Sequence, residues 1–563
     1  MDSKEYIFQK RRWIGANRSD CIARNGMIAS KHPLIGEAGI SIMRRGGNAI
    51  DAAIAAAFMD CVVEPAMNGI GGEGVMTIHL SSGENIVIDY VGRPAKKASP
   101  DMYELEETEE SGWMGWTKVK NDENIIGYKA MTVPGTVAGL CKALENYGTM
   151  DLKTVMKPAI EVAEQGFLMD WWTADHIFRS MEKMWEFTEW RKLFLREGRY
   201  PYLPYVHGMP EPQYFANVEL AKCLKDISEN GMEVFYEGWI SQAIVETIQK
   251  NGGIITSEDL EIYKPIIKEP LPVTYRDYEV VFDPTHSGTT MMEILNIIEG
   301  YDLRGMGFAK PQAIHYLAEA IGLSFADRFK YMGDPGFIDV PLKGLVSKNY
   351  AAELRDKILP DKAIEISYGD PWPYEPECTT ALAVADKKGN MVCVNQTLVN
   401  AFGCGVVVPE TGIVLNNAMY GLDPTHGKAN SIDGRKRRIQ NVCPTILLDE
   451  EEAFLALGAP GGRNIQVSVA QVISHVIDYD MSIQDAVDAP RITRETGTVF
   501  VDSRFPIEVK KVLEGMGHDL NWIDTELKSW GRPVAVLKNN DTNKLHGGVY
   551  SNFNSFVSMA VGY

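Results

Sequence analysis

The segment Asp370–Cys378 reads Asp-Pro-Trp-Pro-Tyr-Glu-Pro-Glu-Cys. Its closely spaced prolines exclude both a helix and a central strand. The character changes at Thr379. Thr379–Asp386 reads as a strand, residues 387–390 (Lys-Lys-Gly-Asn) as a tight turn, and Met391–Val399 as the returning strand. An extended segment that ends at a hydroxyl residue opening a strand suits one kind of chemistry. If the bond between Cys378 and Thr379 is cut, Thr379 gains a free α-amine beside its own hydroxyl. Such an amine titrates at about 8 and can serve as the hydroxyl's general base. Taken by itself, Thr379-Thr380 is equally ordinary strand content.

The elements that must position this threonine follow from periodicity and turn residues. Residues 33–64 predict a helix pair, opened by Pro33 and interrupted at Arg44-Arg45-Gly46-Gly47. A glycine-dense loop, 68–74, feeds a strand at 75–80, which returns at 85–90 across Ser81-Ser82-Gly83. Residues 104–126 are acidic, hold Trp113 and Trp116, and look like a solvated insertion. Residues 136–332 are mainly helical. The tryptophans of 171–190 suit either helix packing or a pocket wall. Beyond Thr379, strands are expected at 443–449 and 453–458, and helices at 463–478, 482–488 and 505–515. Interleaved sheets and helices imply a layered α/β architecture.

Composition narrows the function classes. The chain has 563 residues, 45% hydrophobic and 23% charged, with a net charge of −20 and a pI near 5.1. That balance argues against nucleic acid or an anionic membrane as a partner. The start of the sequence shows no secretory pattern, and the apolar stretch from Ala49 to Phe58 is too short and too charged to span a bilayer. The cysteines at 21, 61, 141, 223, 378, 393, 404 and 443 form no CxxC pair. They read as reduced thiols of a cytoplasmic protein. Histidines such as His286 and His426 are not at metal-ligand spacing, so no metal and no cofactor is expected.

Many short motifs in order resemble the gamma-glutamyltranspeptidase family of N-terminal-nucleophile hydrolases. They begin with Gly26–Ser30, Gly46–Ala53, the loop 69–74 and Val133–Leu140. Glu319-Ala320, Phe325–Arg328 and Gly333–Pro335 continue the series. After Thr379-Thr380 come Asp386–Asn390, Thr397-Leu398, Phe402–Gly405, Gly412–Asn417, Pro444-Thr445, Ala459–Gly462 and Asp488–Arg491. The resemblance implies a four-layer αββα sandwich with a mainly helical large-subunit portion. It implies a precursor that cuts itself into 1–378 and 379–563, two subunits that stay partners. Thr379 matches the nucleophile, and Thr397 the threonine that holds it. Gly461 and Gly462 match the oxyanion-hole pair. By itself Pro460-Gly461-Gly462 is also a plain turn. In the hole, glycine lets N–H donors approach an oxyanion closely, each worth about 3–4 kcal/mol.

The departures concern substrate recognition. Where glutamyl-specific members carry an arginine after the Asp-aromatic pair, this chain has Val91, with Arg93 two residues on. The asparagine expected two residues after Thr397 is Val399, with Asn400 next to it. Ala418 and Gly421 replace a polar pair, and Gln440 and Asn441 replace paired serines. The basic run 434–438 reads either as a solvated loop or as a grip for an acidic acyl group. Arg93, Arg437, Arg438 and Arg463 are the candidate anchors for an anionic acyl group. Arg93, Asn400, Gln440, Asn441 and Arg463 are the candidate substrate-binding residues. The expectation is an amidohydrolase acting on a small amide whose acyl group is not gamma-glutamyl. A gamma-glutamyl hydrolase or transpeptidase and an unprocessed, non-catalytic scaffold are the alternatives. Oligomeric state is left open.

Overall fold

The computed structural model describes residues 19–108, 115–204, 211–374, 386, 388–495, 497–523, 530–551 and 558–563. Cys378, Thr379 and Thr380, the strand expected to start there, and Trp113 lie outside the described residues. The two main sheets are built from eleven strands. These are β1 (Cys21–Ala23), β2 (Glu73–His79), β3 (Asn85–Tyr90), β4 (Ile266–Lys268), β5 (Val273–Tyr275), β6 (Tyr278–Val281), β7 (Met391–Thr397), β8 (Thr445–Asp449), β9 (Glu452–Gly458), β10 (Val534–Asn539) and β11 (Lys544–Val549). The larger sheet runs β1-β11-β10-β9-β8-β6-β5 and the smaller β7-β2-β3-β4. Every pairing in both is antiparallel.

Side-chain alternation explains the layering. β2 and β3 are buried along their whole length. Met76, Ile78, Ile86 and Ile88 point one way, into a core shared with Ile54 and Phe58 of the helix Ala49–Val63. Val75 and Val87 point the other way and meet Val91 and Val442. In the larger sheet, Leu447, Leu455 and Leu457 pack on Ile294 and Ile298 of the helix Ser287–Glu299 and on Val469 and Ile473 of the helix Ile465–Ile477. Ile446, Leu448 and Ala456 share a core with Met391 and Cys393 of β7. Each sheet is thus apolar on both faces, with a sheet on one side and helices on the other. This is the four-layer αββα sandwich expected from the sequence.

Most element boundaries fall close to expectation. The helix pair is Pro33–Arg44 and Ala49–Val63, with Gly46 at φ 98° between them. The second helix is apolar on every side and consequently buried. Asn48 caps it in a reciprocal box with Asp51, whose carboxylate also accepts from the Thr149 and Met150 backbone. The expected helices appear as Ile465–Ile477, Ile483–Asp488 and Ile507–Gly515. Most described residues of 104–126 are exposed or half-buried, as expected of a solvated insertion, but the segment is anchored to the core. Tyr103 and Val119 are buried with Met419, Leu422 and Ile432, because Leu105 and Val119 bridge and close that segment onto the later loop. The tryptophans divide between both roles. Trp190 is fully buried against Phe194 and Phe402, whereas Trp172 lines a cavity. The described cysteines are free, and all but Cys21 and Cys141 are buried. Among the described residues no helix is long and apolar enough to cross a membrane.

Asp51 joins the cap to the next helical segment, so Asp51→Ala leaves several buried donors without an acceptor. A loss of roughly 3 kcal/mol is expected, read as a lower thermal midpoint, with Asp51→Asn retaining part of it.

Candidate active site

β7 carries the site. It pairs through one edge with β2, from Met391 opposite His79 to Thr397 opposite Glu73. Among the described residues its other edge pairs with no strand. At the start of β7 the turn is clear. The Gly389 N–H donates to the Asp386 carbonyl at 2.9 Å, with Gly389 at φ 97°. The Asp386 side chain accepts from the Lys388 and Asn390 N–H groups. A left-handed glycine at this position is the mark of a bulged hairpin turn.

At the other end of β7, the Thr397 hydroxyl accepts the Val399 N–H at 2.8 Å. Val399 is held at φ 85°, a region hostile to β-branched residues. It costs roughly 1–3 kcal/mol, which the surrounding structure must offset. Leu398 donates to the Met67 carbonyl and Asn400 to the Asn417 side chain, and these bonds fix the loop.

A cavity of 770 Å³ runs along β7 and takes in Thr397, Val399, Gln440, Asn441, Gly461 and Gly462. Gly461 sits at φ 144° and Gly462 at φ 58°, both unfavourable to other residues. A Cβ on Gly461 would lie 2.7 Å from the Gly531 Cα. Among the described residues neither glycine N–H has a hydrogen-bond acceptor. The short turn Gly462–Asn464 leads directly into the helix Ile465–Ile477. Two unclaimed N–H groups at the start of a helical segment make a site for developing negative charge.

The candidate recognition residues separate into two groups. Gln440 and Asn441 line the cavity, but both are engaged. Gln440 donates to Glu73, and Asn441 accepts from Arg328 at 3.0 Å. Arg93, Asn400 and Arg463 are not part of its lining. Arg93 bridges to Val133, and Arg463 pairs with Glu495 at 2.6 Å. The run 434–438 divides: Arg435 is half-buried on the exposed Glu258, whereas Lys436, Arg437 and Arg438 are buried. Arg437 is buried between Asp89 and Asp334, and Arg438 is buried on Glu73. Burial pushes the Asp89 carboxyl up, but Lys268, His286 and Arg437 outweigh it and hold it well below the usual range. Arg437 and Arg438 are both committed to carboxylates of the chain, although Arg438 also contributes to the cavity lining.

Several cavity residues gave no sequence signal, since they come from distant parts of the chain. They are Lys31, Asp60, His176, Asn395 and Arg532. Asn395 donates to the Ala459 carbonyl at 3.1 Å and steadies the glycine turn. Two buried groups also escape sequence spacing: His315, Glu319 and His518, and Asp89, Asp283 and His286. Partners from the chain already occupy both. His315 and His518 share a 2.7 Å contact, and Lys268 lies 2.9 Å from both Asp89 and Asp283.

A sequence model of gamma-glutamyltranspeptidase matches residues 36–550. The chain is 38% identical over 495 residues to the Acylase ACY 1 proenzyme of Pseudomonas sp. (strain V22), covering 88% of this chain and 87% of that one. It is 35% identical over 515 residues to the glutathione hydrolase proenzyme of Escherichia coli (strain K12), covering 88% of this chain and 86% of that one. The crystal structure of a cephalosporin acylase from Bacillus halodurans superposes with a TM-score of 0.86 at 28% identity, over 97% of each chain. The Helicobacter pylori gamma-glutamyltranspeptidase structure gives 0.56 at 36% identity, over 62% of this chain and 95% of that one. This chain belongs to the gamma-glutamyltranspeptidase family, and it is an enzyme, an amidohydrolase of the N-terminal-nucleophile type.

Asp60 generates a test. Burial, then the Glu64 charge, push its carboxyl up to about 6. A carboxyl raised on folding binds its proton more tightly in the native state. Its contribution to stability is therefore greatest below the unfolded value near 3.8 and is lost as pH rises to about 6. The total is up to about 3 kcal/mol. Asp60→Asn should gain in thermal midpoint over the natural protein between pH 4 and pH 7. A difference independent of pH would remove this role.

Proposed function

We propose that the precursor cuts itself between Cys378 and Thr379, giving subunits 1–378 and 379–563, and then hydrolyses a small amide through an acyl-enzyme on Thr379. The observation that carries this reading is the register of the turn before β7. Thr379 lies as many residues before Asp386 as Thr397 lies after Asn390. An antiparallel ladder carried outward from the bulged turn would set the two threonines opposite each other, with side chains on one face. Among the described residues no strand pairs with the edge of β7 away from β2, which leaves it available for such a ladder. The Thr397 hydroxyl, already a hydrogen-bond acceptor from Val399, would then hold the Thr379 amine and hydroxyl.

The chemistry follows from these parts. The Thr379 α-amine takes the hydroxyl proton as the oxygen attacks the substrate carbonyl. The resulting oxyanion is met by the Gly461 and Gly462 N–H groups. The ammonium returns its proton to the leaving amine, and water then cleaves the acyl ester by the same steps. Self-cutting uses the same hydroxyl against the Cys378 carbonyl.

The acyl group is proposed to be acidic or apolar and to lack the α-amino group of a glutamyl. Val91 is buried between the sheets and is not part of the cavity lining, and Val399 offers the cavity only carbon. Ala418 is fully buried. Gly421 has no room for a side chain, because a Cβ there would meet the Arg438 Cδ at 2.4 Å. A zwitterion would lose several charged hydrogen bonds worth about 1.5–3 kcal/mol each. The likeness to a glutathione hydrolase keeps gamma-glutamyl amides in the test as the second reading.

Three outcomes are expected. On a denaturing gel the natural protein gives two bands, and Thr379→Ala stays at full length; maturation of that variant in pure form would reassign the nucleophile. Thr397→Val, which keeps shape and loses the hydroxyl, should slow processing or turnover by about tenfold or more. Against a panel of acyl amides, glutathione and a gamma-glutamyl anilide should be poor substrates. A specificity constant for either well above the rest would favour the transpeptidase.

A further inference from the structure

The cavity beside the glycine pair is lined by a cation, Arg532, whose acidic neighbour Glu64 acts on it only at a distance and is itself held by Lys31. Arg532 lies just ahead of β10, and its backbone N–H donates to the Pro460 carbonyl at 2.9 Å. Together with the close approach of Gly531 to Gly461, this fastens the arginine next to the glycine pair. Its guanidinium lies 4.2 Å from the ring centroid of Trp172. Among the described residues no carboxylate forms an ion pair with it, and its buried Nε has no hydrogen-bond partner. Arg437, Arg438 and Arg463 differ in that each sits on a carboxylate. The nearby acids are taken. Glu64 binds Lys31 at 2.6 Å, and Asp60 accepts from Asn68 at 2.7 Å and from Gln396 at 3.3 Å.

A guanidinium stacked on an indole keeps its planar fork free at the edge, and that fork matches a carboxylate through two parallel hydrogen bonds. Leaving a buried donor unpaired is costly, so a bound carboxylate would satisfy what the fold does not. We infer that Arg532, stacked on Trp172, anchors a carboxylate carried by the amide substrate. This rests on the amidohydrolase reading above and supplies the anchor that Arg93, Arg437, Arg438 and Arg463 do not. The carboxylate belongs either to the acyl group or to the leaving amine, both of which lie within a short chain of the scissile bond.

The test compares three chromogenic amides on the matured enzyme. Glutaryl p-nitroanilide carries its carboxylate on the acyl side, and its methyl ester carries none. Butyryl 5-amino-2-nitrobenzoate carries one on the leaving side. Arg532→Gln should lower kcat/KM for one anionic amide by about tenfold to a hundredfold relative to the methyl ester. The amide whose ratio falls identifies the side. Arg532→Lys, which keeps the charge without the fork, should give an intermediate ratio. An equal loss on all three amides, or no loss on any, overturns the inference. If the natural protein cleaves none of them, the amidohydrolase reading fails by itself, and glutarate binding by calorimetry decides the anchor. Binding that Arg532→Gln abolishes supports it; equal binding by both proteins, or none by either, overturns it.

Discussion

Buried carboxylates at the ends of β2 and β3 set the terms for the rest of the molecule. Glu73 and Asp89 are almost without solvent contact, and a buried charge left alone would cost several kcal/mol. Arg438 and Arg437 neutralise them from far along the chain. The same carboxylates accept from Gly92 N–H, Gln440 and Lys268. Replacing such a network with apolar residues need not weaken a fold. What the network does here is fix where the later segment crosses the smaller sheet. Gln440 and Asn441 face the cavity because Arg437 and Arg438 are pinned just before them.

That pinning also explains the altered pocket. Gly421 has no side chain because the Arg438 stem fills the space beside it. Gln440 turns to Glu73, and Asn441 is held by Arg328, whose pKa burial and the Arg463 charge bring down to about 9. Polar residues that look like substrate contacts in sequence are satisfied within the protein. Among the described residues, the functional groups left open are of a different kind: two backbone N–H groups, one strand edge and the cation on Trp172.

The reacting end of the cavity is stiff. Val399 is held at positive φ by bonds on either side, and Gly461 is pressed against Gly531. Such positions persist only where neighbours over-determine them, and preorganised donors are what acyl transfer needs. The helix behind the glycines is packed into the larger sheet's core, so the donors rest on a rigid element.

How much of this was legible depended on range. The helix pair, the hairpin of β2 and β3, β7 with its turn, and the late helices were all readable, because periodicity and turn residues act within a few positions. The motif series gave the family, and with it Thr379, Thr397, Gly461 and Gly462 as candidates. Residue spacing could not say what a charge would meet. Arg437 and Arg438 looked like a basic surface run because their carboxylates stand hundreds of positions earlier. Arg532 carried no mark for the same reason: it is ordinary in its own segment, and only its stacking on Trp172, one of the tryptophans that suited either packing or a pocket wall, makes the pair a candidate site. Sequence by itself determined the layers and the candidate reacting residues, whose signals are local or lie in ordered motifs. The tertiary structure alone decided which charges are cancelled and which remain open, because pairing depends on distance in space and on burial.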